Sequence, residues 1–95
     1  MEEIKMYSFY DKKAKRFDTP VFVYDEVGAK RHFIMSINRE GTLMNSFKDD
    51  YELYLIGSFN INNGDFYYEE KSNKLPILVM RGTDVAKAIR ETENE

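Results

Sequence analysis

The stretch that most constrains this chain is residues 51–60, Tyr-Glu-Leu-Tyr-Leu-Ile-Gly-Ser-Phe-Asn, with the turn Asn62-Asn63-Gly64-Asp65 just after it. Leu53, Leu55 and Phe59 alternate with Glu52, Tyr54, Ile56 and Ser58, and Gly57 interrupts the pattern. A period of two sends successive side chains to opposite faces of a sheet, so the stretch reads as the strongest strand in the chain. Asn and Gly accept the positive φ angles of a tight turn, so residues 66–69 are expected to return as its antiparallel partner. An isolated hairpin is marginal in water, and this one needs further strands and a cover over its apolar face.

The remaining elements supply both. Residues 4–10 alternate and carry Tyr7, Phe9 and Tyr10, reading as a strand; residues 11–17 read as a charged connection. Pro20 introduces a second short strand over 21–24, since proline suits the start or edge of a strand. Asp25 is placed to cap a helix over 26–38. Ala29, Phe33 and Ile37 recur at four-residue spacing, with Val27, Lys30 and Ile34 beside them, and Glu26 and Lys30 form a favourable i, i+4 pair. Gly28 weakens the first turn and Gly41 marks the stop. One helical turn is expected over 43–46, a polar loop over 71–74, and a short strand over 75–80 that Pro76 places near an edge. Thr83 is expected to cap a last helix with an apolar face of Val85, Ala88 and Ile89, its tail over 91–95 fraying. The order β-β-α-β-β-β-α implies one α+β domain over 1–95, with a small, mainly antiparallel sheet of about five strands. One main helix packs on that sheet, and a short C-terminal helix follows.

The same residues remove most chemistry. With no cysteine among 95 residues, thiolate nucleophiles, thiolate zinc sites and disulfides are excluded. His32 is the single histidine and sits mid-helix beside Arg31, without the partners a triad or a histidine metal site requires. Glu69-Glu70-Lys71 could form half of a metal-dependent nuclease site with Asp49, Asp50 or Asp65. That trio, however, falls where a strand runs out into a loop, a place charged residues occupy for solvation. The five glycines are scattered and none pair at phosphate-loop spacing. The expectation is a non-enzymatic protein with no metal or cofactor. The start, Met1-Glu2-Glu3-Ile4-Lys5, is acidic and unlike a signal peptide, and no apolar run reaches transmembrane length; a soluble chain in a reducing cytoplasm is expected.

Charge points to binding. The net charge is −3, yet residues 12–39 hold seven basic and three acidic side chains, a local excess of +4. Lys12, Lys13, Lys15 and Arg16 are bracketed by Tyr7, Phe9 and Tyr10 before and Phe17, Phe22 and Tyr24 after. A single-stranded DNA binder needs cations to follow the phosphates and aromatic faces on which bases stack. The candidate phosphate contacts are Lys12, Lys13, Lys15 and Arg16, with Lys30 and Arg31 in support; the candidate stacking faces are Tyr10, Phe17 and Tyr24. The second class is a protein–protein module, a homodimeric adaptor using edge strands 21–24 or 75–80 and the surplus of tyrosine.

Three blocks also resemble a known family. Residues 7–15, Tyr-Ser-Phe-Tyr-Asp-Lys-Lys-Ala-Lys, with Thr19-Pro20-Val21-Phe22, resemble the opening of the small nonstructural proteins of gokushoviruses, single-stranded DNA phages of the Microviridae. Residues 27–33, Val-Gly-Ala-Lys-Arg-His-Phe, are similar to that family's helix with its Ala-x-Arg-x-Phe-like pattern. Residues 49–60 are similar to its Glu-Asp-Phe/Tyr-x-Leu-Tyr-x-Ile/Leu-Gly-x-Phe-Asp/Asn segment. The blocks agree in order and spacing over residues 6–65, and nothing of the family is evident from Lys71 onward. The resemblance implies a DNA-binding nonstructural protein acting in viral DNA replication or packaging in the host's bacterial cytoplasm. Taken with the charge and tyrosine content, the expected partners are single-stranded DNA and a second copy of the chain; the alternative adaptor would instead modulate a replication initiator or capsid assembly without contacting DNA. The resemblance transfers no binding residues, so the site assignment rests on charge and aromatic chemistry.

Overall fold

In the computed structural model, which describes residues 3–70 and 73–85, the chain runs β1 (Glu3–Asp11), β2 (Arg16–Phe17), β3 (Val21–Val23), α1 (Glu26–Asn38), α2 (Leu43–Ser46), a 3-10 turn (Lys48–Asp50), β4 (Tyr51–Asn60), β5 (Phe66–Tyr67), β6 (Glu69–Glu70), β7 (Asn73–Lys74), β8 (Ile77–Arg81) and a second 3-10 turn (Gly82–Asp84). The expected α+β class holds, with six strands in one antiparallel sheet and a separate β6–β7 pair. β1 and β4 are its two central strands. β2 and β3 share the outer edge of β1, and β8 and β5 share the outer edge of β4.

Alternation decides which side chains face inward. Tyr7 and Phe9 of β1 and Leu53 and Leu55 of β4 point to one face, where Ala29, Phe33 and Ile37 of α1 cover them. Phe33, Ile37 and Leu53 are fully buried, and Val85 closes the same core. The helix forms where its local signals place it. Asp25 adopts extended backbone and its carboxylate accepts the Gly28 amide at 2.8 Å, satisfying one orphan donor of the first turn. Gly41 takes φ 84 just past the helix, a conformation that costs glycine little. Asn45 Nδ2 donates to the Ile37 carbonyl at 3.0 Å, fastening α2 to the end of α1.

The main departure from strict alternation lies in β4. Met6 pairs with Gly57 and Tyr7 with Leu55, so Ile56 is an extra residue, a β-bulge. The bulge reverses the parity of the strand. Leu53 and Leu55 face the helix, whereas Gly57 and Phe59 face the other side, so Phe59 leaves the apolar set in which the sequence pattern places it. On β1 the corresponding side chains are Ile4, Met6, Ser8 and Tyr10. Among the described residues no helix lies over this second face.

Other expectations shift at element ends. The stretch read as a charged connection holds β2, whose Phe17 and Arg16 pair with Tyr10 and Asp11. The returning strand splits at Tyr68 into β5 and β6, and the stretch expected as a polar loop contains β7, which pairs antiparallel with β6. β8 starts at Ile77 and is half-buried along most of its length. Val27 is exposed, because it falls outside the stripe that Ala29, Phe33 and Ile37 define. Thr83 lies inside the second 3-10 turn, whose cap is Arg81: the Arg81 amide donates to the Asp84 carboxylate at 3.2 Å. Gly82 is buried there, and a Cβ would collide with the Lys48 carbonyl. Ala88, Ile89 and the tail 91–95 lie outside the described residues.

Phe33→Ala is expected to lower unfolding free energy by about 3–5 kcal/mol, since it opens a cavity under α1. Met35→Ala, on the exposed side of the same helix, is expected to stay within about 0.5 kcal/mol. Urea denaturation followed by circular dichroism measures both.

Candidate nucleic-acid interface

β1 and β2 are joined by a tight basic turn that Asp11 organises. Its carboxylate accepts the Lys13 amide at 2.9 Å and the Ala14 amide at 3.1 Å, and its carbonyl accepts the Lys15 amide at 2.7 Å. Lys15 takes φ 57, the left-handed conformation that lets the chain reverse into β2. The Lys12 amide donates to the Asp50 carbonyl at 2.8 Å, tying the turn to the start of β4. Lys12, Lys13, Lys15 and Arg16 are thus exposed side chains on an ordered backbone. The same ordering acts on Asp11 itself: the Ala14 amide most of all, helped by the Lys13 amide, Tyr51 and Arg16, holds its carboxyl below the ordinary 3.8, although desolvation, second in size, opposes them.

Behind the turn, on the sheet face without a helix, stands an aromatic trio. Tyr10 and Phe17 are cross-strand partners with ring centroids 4.7 Å apart, and Tyr54 meets them edge-on at 5.9 and 5.6 Å. Tyr54 donates its hydroxyl to Glu52 at 3.1 Å. Burial, then the bond and charge of Glu52, push the Tyr54 phenol above its ordinary 10.0. Tyr51 is also pushed up, by burial first and then by the charge and hydrogen bond of Asp11. The mostly buried Glu52 carboxylate draws in two cations, Lys12 at 4.0 Å and Arg81 of β8 at 3.8 Å. Arg81 and Tyr54 are the members of this group that sequence reasoning missed. The alternation in β4 places Tyr54 opposite Leu53, but only pairing with β1 and β8 shows which neighbours it acquires.

The structure brings together Tyr10, Lys12, Lys13, Lys15, Arg16 and Phe17. It leaves the other three candidates apart. Lys30 and Arg31 belong to α1, on the opposite side of the sheet, and Lys30 pairs with Glu26 at 3.1 Å. Tyr24 is 72% exposed but follows β3, whose Val23 pairs with Lys5. That is five residues along β1 from Tyr10, or about 17 Å at strand spacing. His32 is exposed and stacks on Phe9, centroids 5.3 Å apart, in a packing role. Among the described residues no three His, Asp or Glu side chains cluster as metal ligands, and no helix is long and apolar enough to cross a membrane.

Comparison with known families matches residues 4–85 to the family described as phage ORF5 protein. The chain belongs to the phage ORF5 protein family. The match continues past residue 65, where the resemblance of the three blocks stops, and takes in β8 with Arg81 and the core residue Val85. No curated protein and no solved structure matches the chain.

Both tyrosine shifts favour the neutral phenol in the folded state, so their stabilisation is complete below pH 10 and is lost as pH rises through the folded-state values. Absorbance titration of the folded protein is expected to show the Tyr51 and Tyr54 phenols ionising above 10.0. Tyr51→Phe and Tyr54→Phe should each remove one of them and flatten the alkaline fall in unfolding free energy.

Proposed function

We propose that this phage protein binds single-stranded DNA without catalysing a reaction, as a nonstructural protein of the gokushovirus type, in genome replication or packaging within the bacterial host. The observation that carries the reading is the adjacency of the Asp11-ordered basic turn to the Tyr10–Phe17–Tyr54 trio on the sheet face opposite the helix. Cations on a fixed backbone can follow successive phosphates with little ordering cost at binding. Aromatic rings beside them offer a surface on which bases stack whatever their identity. Lys12, Lys13, Lys15 and Arg16 take the phosphates in this reading, with Arg81 near the same end of the sheet through its pairing with Glu52. Phe17, 42% exposed, is the ring of the trio most open to a base. Lys30 and Arg31 act from the helix side as a separate, supporting patch.

Fluorescence anisotropy with a labelled oligonucleotide at several salt concentrations tests this. Four phosphate contacts predict a log–log salt slope of about −3, at roughly −0.7 per phosphate on a single strand. Reversing Lys12, Lys13, Lys15 and Arg16 to Glu is expected to abolish binding with the fold intact, and Lys30→Glu with Arg31→Glu to weaken it far less. Phe17→Ala is expected to cost about 1–3 kcal/mol, the worth of one stacked base. Affinity that survives the fourfold reversal, or that ignores salt, would remove the DNA reading and leave a protein-only adaptor.

A further inference from the structure

We propose that Glu52 is an internal counter-anion of the nucleic-acid interface: in the free protein it holds Lys12 and Arg81, and a DNA phosphate must take these two cations from it. The inference rests on the single-stranded DNA reading above and adds to it a residue that restrains binding. Strand register fixes the position. Tyr10 of β1 pairs with Phe17 on one side and with Glu52 on the other, and Glu52 pairs in turn with Arg81. Phe17, Tyr10, Glu52 and Arg81 therefore form one row across β2, β1, β4 and β8. Three inter-strand spacings of about 4.8 Å make the row about 14 Å long. A strand of DNA that stacks on Phe17 and reaches Arg81 passes over Glu52.

The distances show how the cations are held. Glu52 Oε1 accepts the Tyr54 hydroxyl at 3.1 Å. Oε2 faces both cations, Lys12 Nζ at 4.0 Å and Arg81 Nε at 3.8 Å. A charge-assisted hydrogen bond is about 2.7–2.9 Å long, so this carboxylate holds both cations by charge and neither by a hydrogen bond. One carboxylate between two cations also leaves the group with a net positive charge, which still attracts an anion. The Glu52 side chain is 11% exposed, against 44% for Lys12 and 57% for Arg81. The cations can turn outward to a phosphate while the carboxylate stays in the floor beneath it. A phosphate bound there lies a few ångströms from the Glu52 charge, and like-charge repulsion opposes it. The order that Glu52 gives two exposed cations is a smaller gain, because exposed ion pairs contribute little. Repulsion is the larger effect and sets the sign: removing the charge of Glu52 tightens the complex.

Anisotropy titration of the full chain with a labelled single-stranded oligonucleotide tests the proposal. Glu52→Gln keeps the shape of the side chain and an acceptor for the Tyr54 hydroxyl. It is expected to tighten binding about tenfold, the scale of removing one unit charge near a phosphate at a protein surface. The log–log salt slope should steepen by about 0.7, the share of one further neutralised phosphate. Glu40→Gln, at an exposed position just past α1, makes the same change in net charge and should leave affinity unchanged. Arg81→Gln should weaken binding, and the gain from Glu52→Gln should shrink in that background, because the two side chains interact. In the unmodified protein the Arg81 Nε–H NMR signal is expected to shift when oligonucleotide is added, a measurement that needs no variant to fold. Four results would overturn the proposal and leave the DNA reading standing: salt-steep binding with no gain in Glu52→Gln, an equal gain in Glu40→Gln, an undiminished gain beside Arg81→Gln, or an unmoved Arg81 signal. Absence of binding by both the unmodified protein and Glu52→Gln would remove the DNA reading and this proposal together.

Discussion

The ladder between β1 and β4 is the constraint on which the rest of this molecule depends. Nine residue pairs, from Glu3 with Asn60 to Asp11 with Tyr51, join segments some forty residues apart in the chain. Each outer strand then has a place only because one of these two offers a free edge. The ladder also sets the position of the helix. Tyr7, Phe9, Leu53 and Leu55 form a surface that only an apolar stripe such as Ala29, Phe33 and Ile37 can cover. Burial of that stripe supplies the stability that a thirteen-residue helix lacks in isolation.

One irregularity in the ladder gives the protein two dissimilar faces. If β4 alternated without interruption, Phe59 would join Leu53 and Leu55 beneath the helix. With Ile56 inserted, it goes to the side opposite the helix and meets Phe22 and Phe66. Gly57 permits this, because any Cβ there would press against Met6 and the Tyr67 carbonyl. The other end of the same face holds Tyr10, Phe17 and Tyr54, with the buried carboxylate of Glu52 gathering Lys12 and Arg81 beside them. A buried acid of this kind is tolerable only when paired, and its two cations and the Tyr54 hydroxyl provide the pairing. The face opposite the helix is therefore apolar at one end and aromatic and cationic at the other.

Much of the architecture was legible in the residues. Asp25 as the cap, the 26–38 helix, its buried stripe and the 51–60 strand rest on interactions between residues a few positions apart, and such interactions survive transfer from rule to chain. Less was legible at the site. Lys12 to Arg16 stand out by composition alone. Phe17 was recognisable as an aromatic beside cations, but its partnership with Tyr54, across two strands, has no signature in local spacing. Tyr24 and the Lys30–Arg31 pair lie near the basic turn in sequence, but the fold separates them from it because β3 runs antiparallel back along β1 and α1 crosses to the other side.

By itself, then, the sequence determined the class of fold, the elements that build it, the absence of thiol chemistry and the concentration of positive charge in residues 12–39. These follow from side-chain period, capping chemistry and composition, each of which is a local property. Only the tertiary structure decided that Tyr10, Phe17 and Tyr54 form one surface, that Arg81 reaches the same end through Glu52, and that a single bulged residue turns Phe59 outward. Those outcomes depend on strand register, and register is set by long-range pairing: a shift of one residue inverts every side chain beyond it.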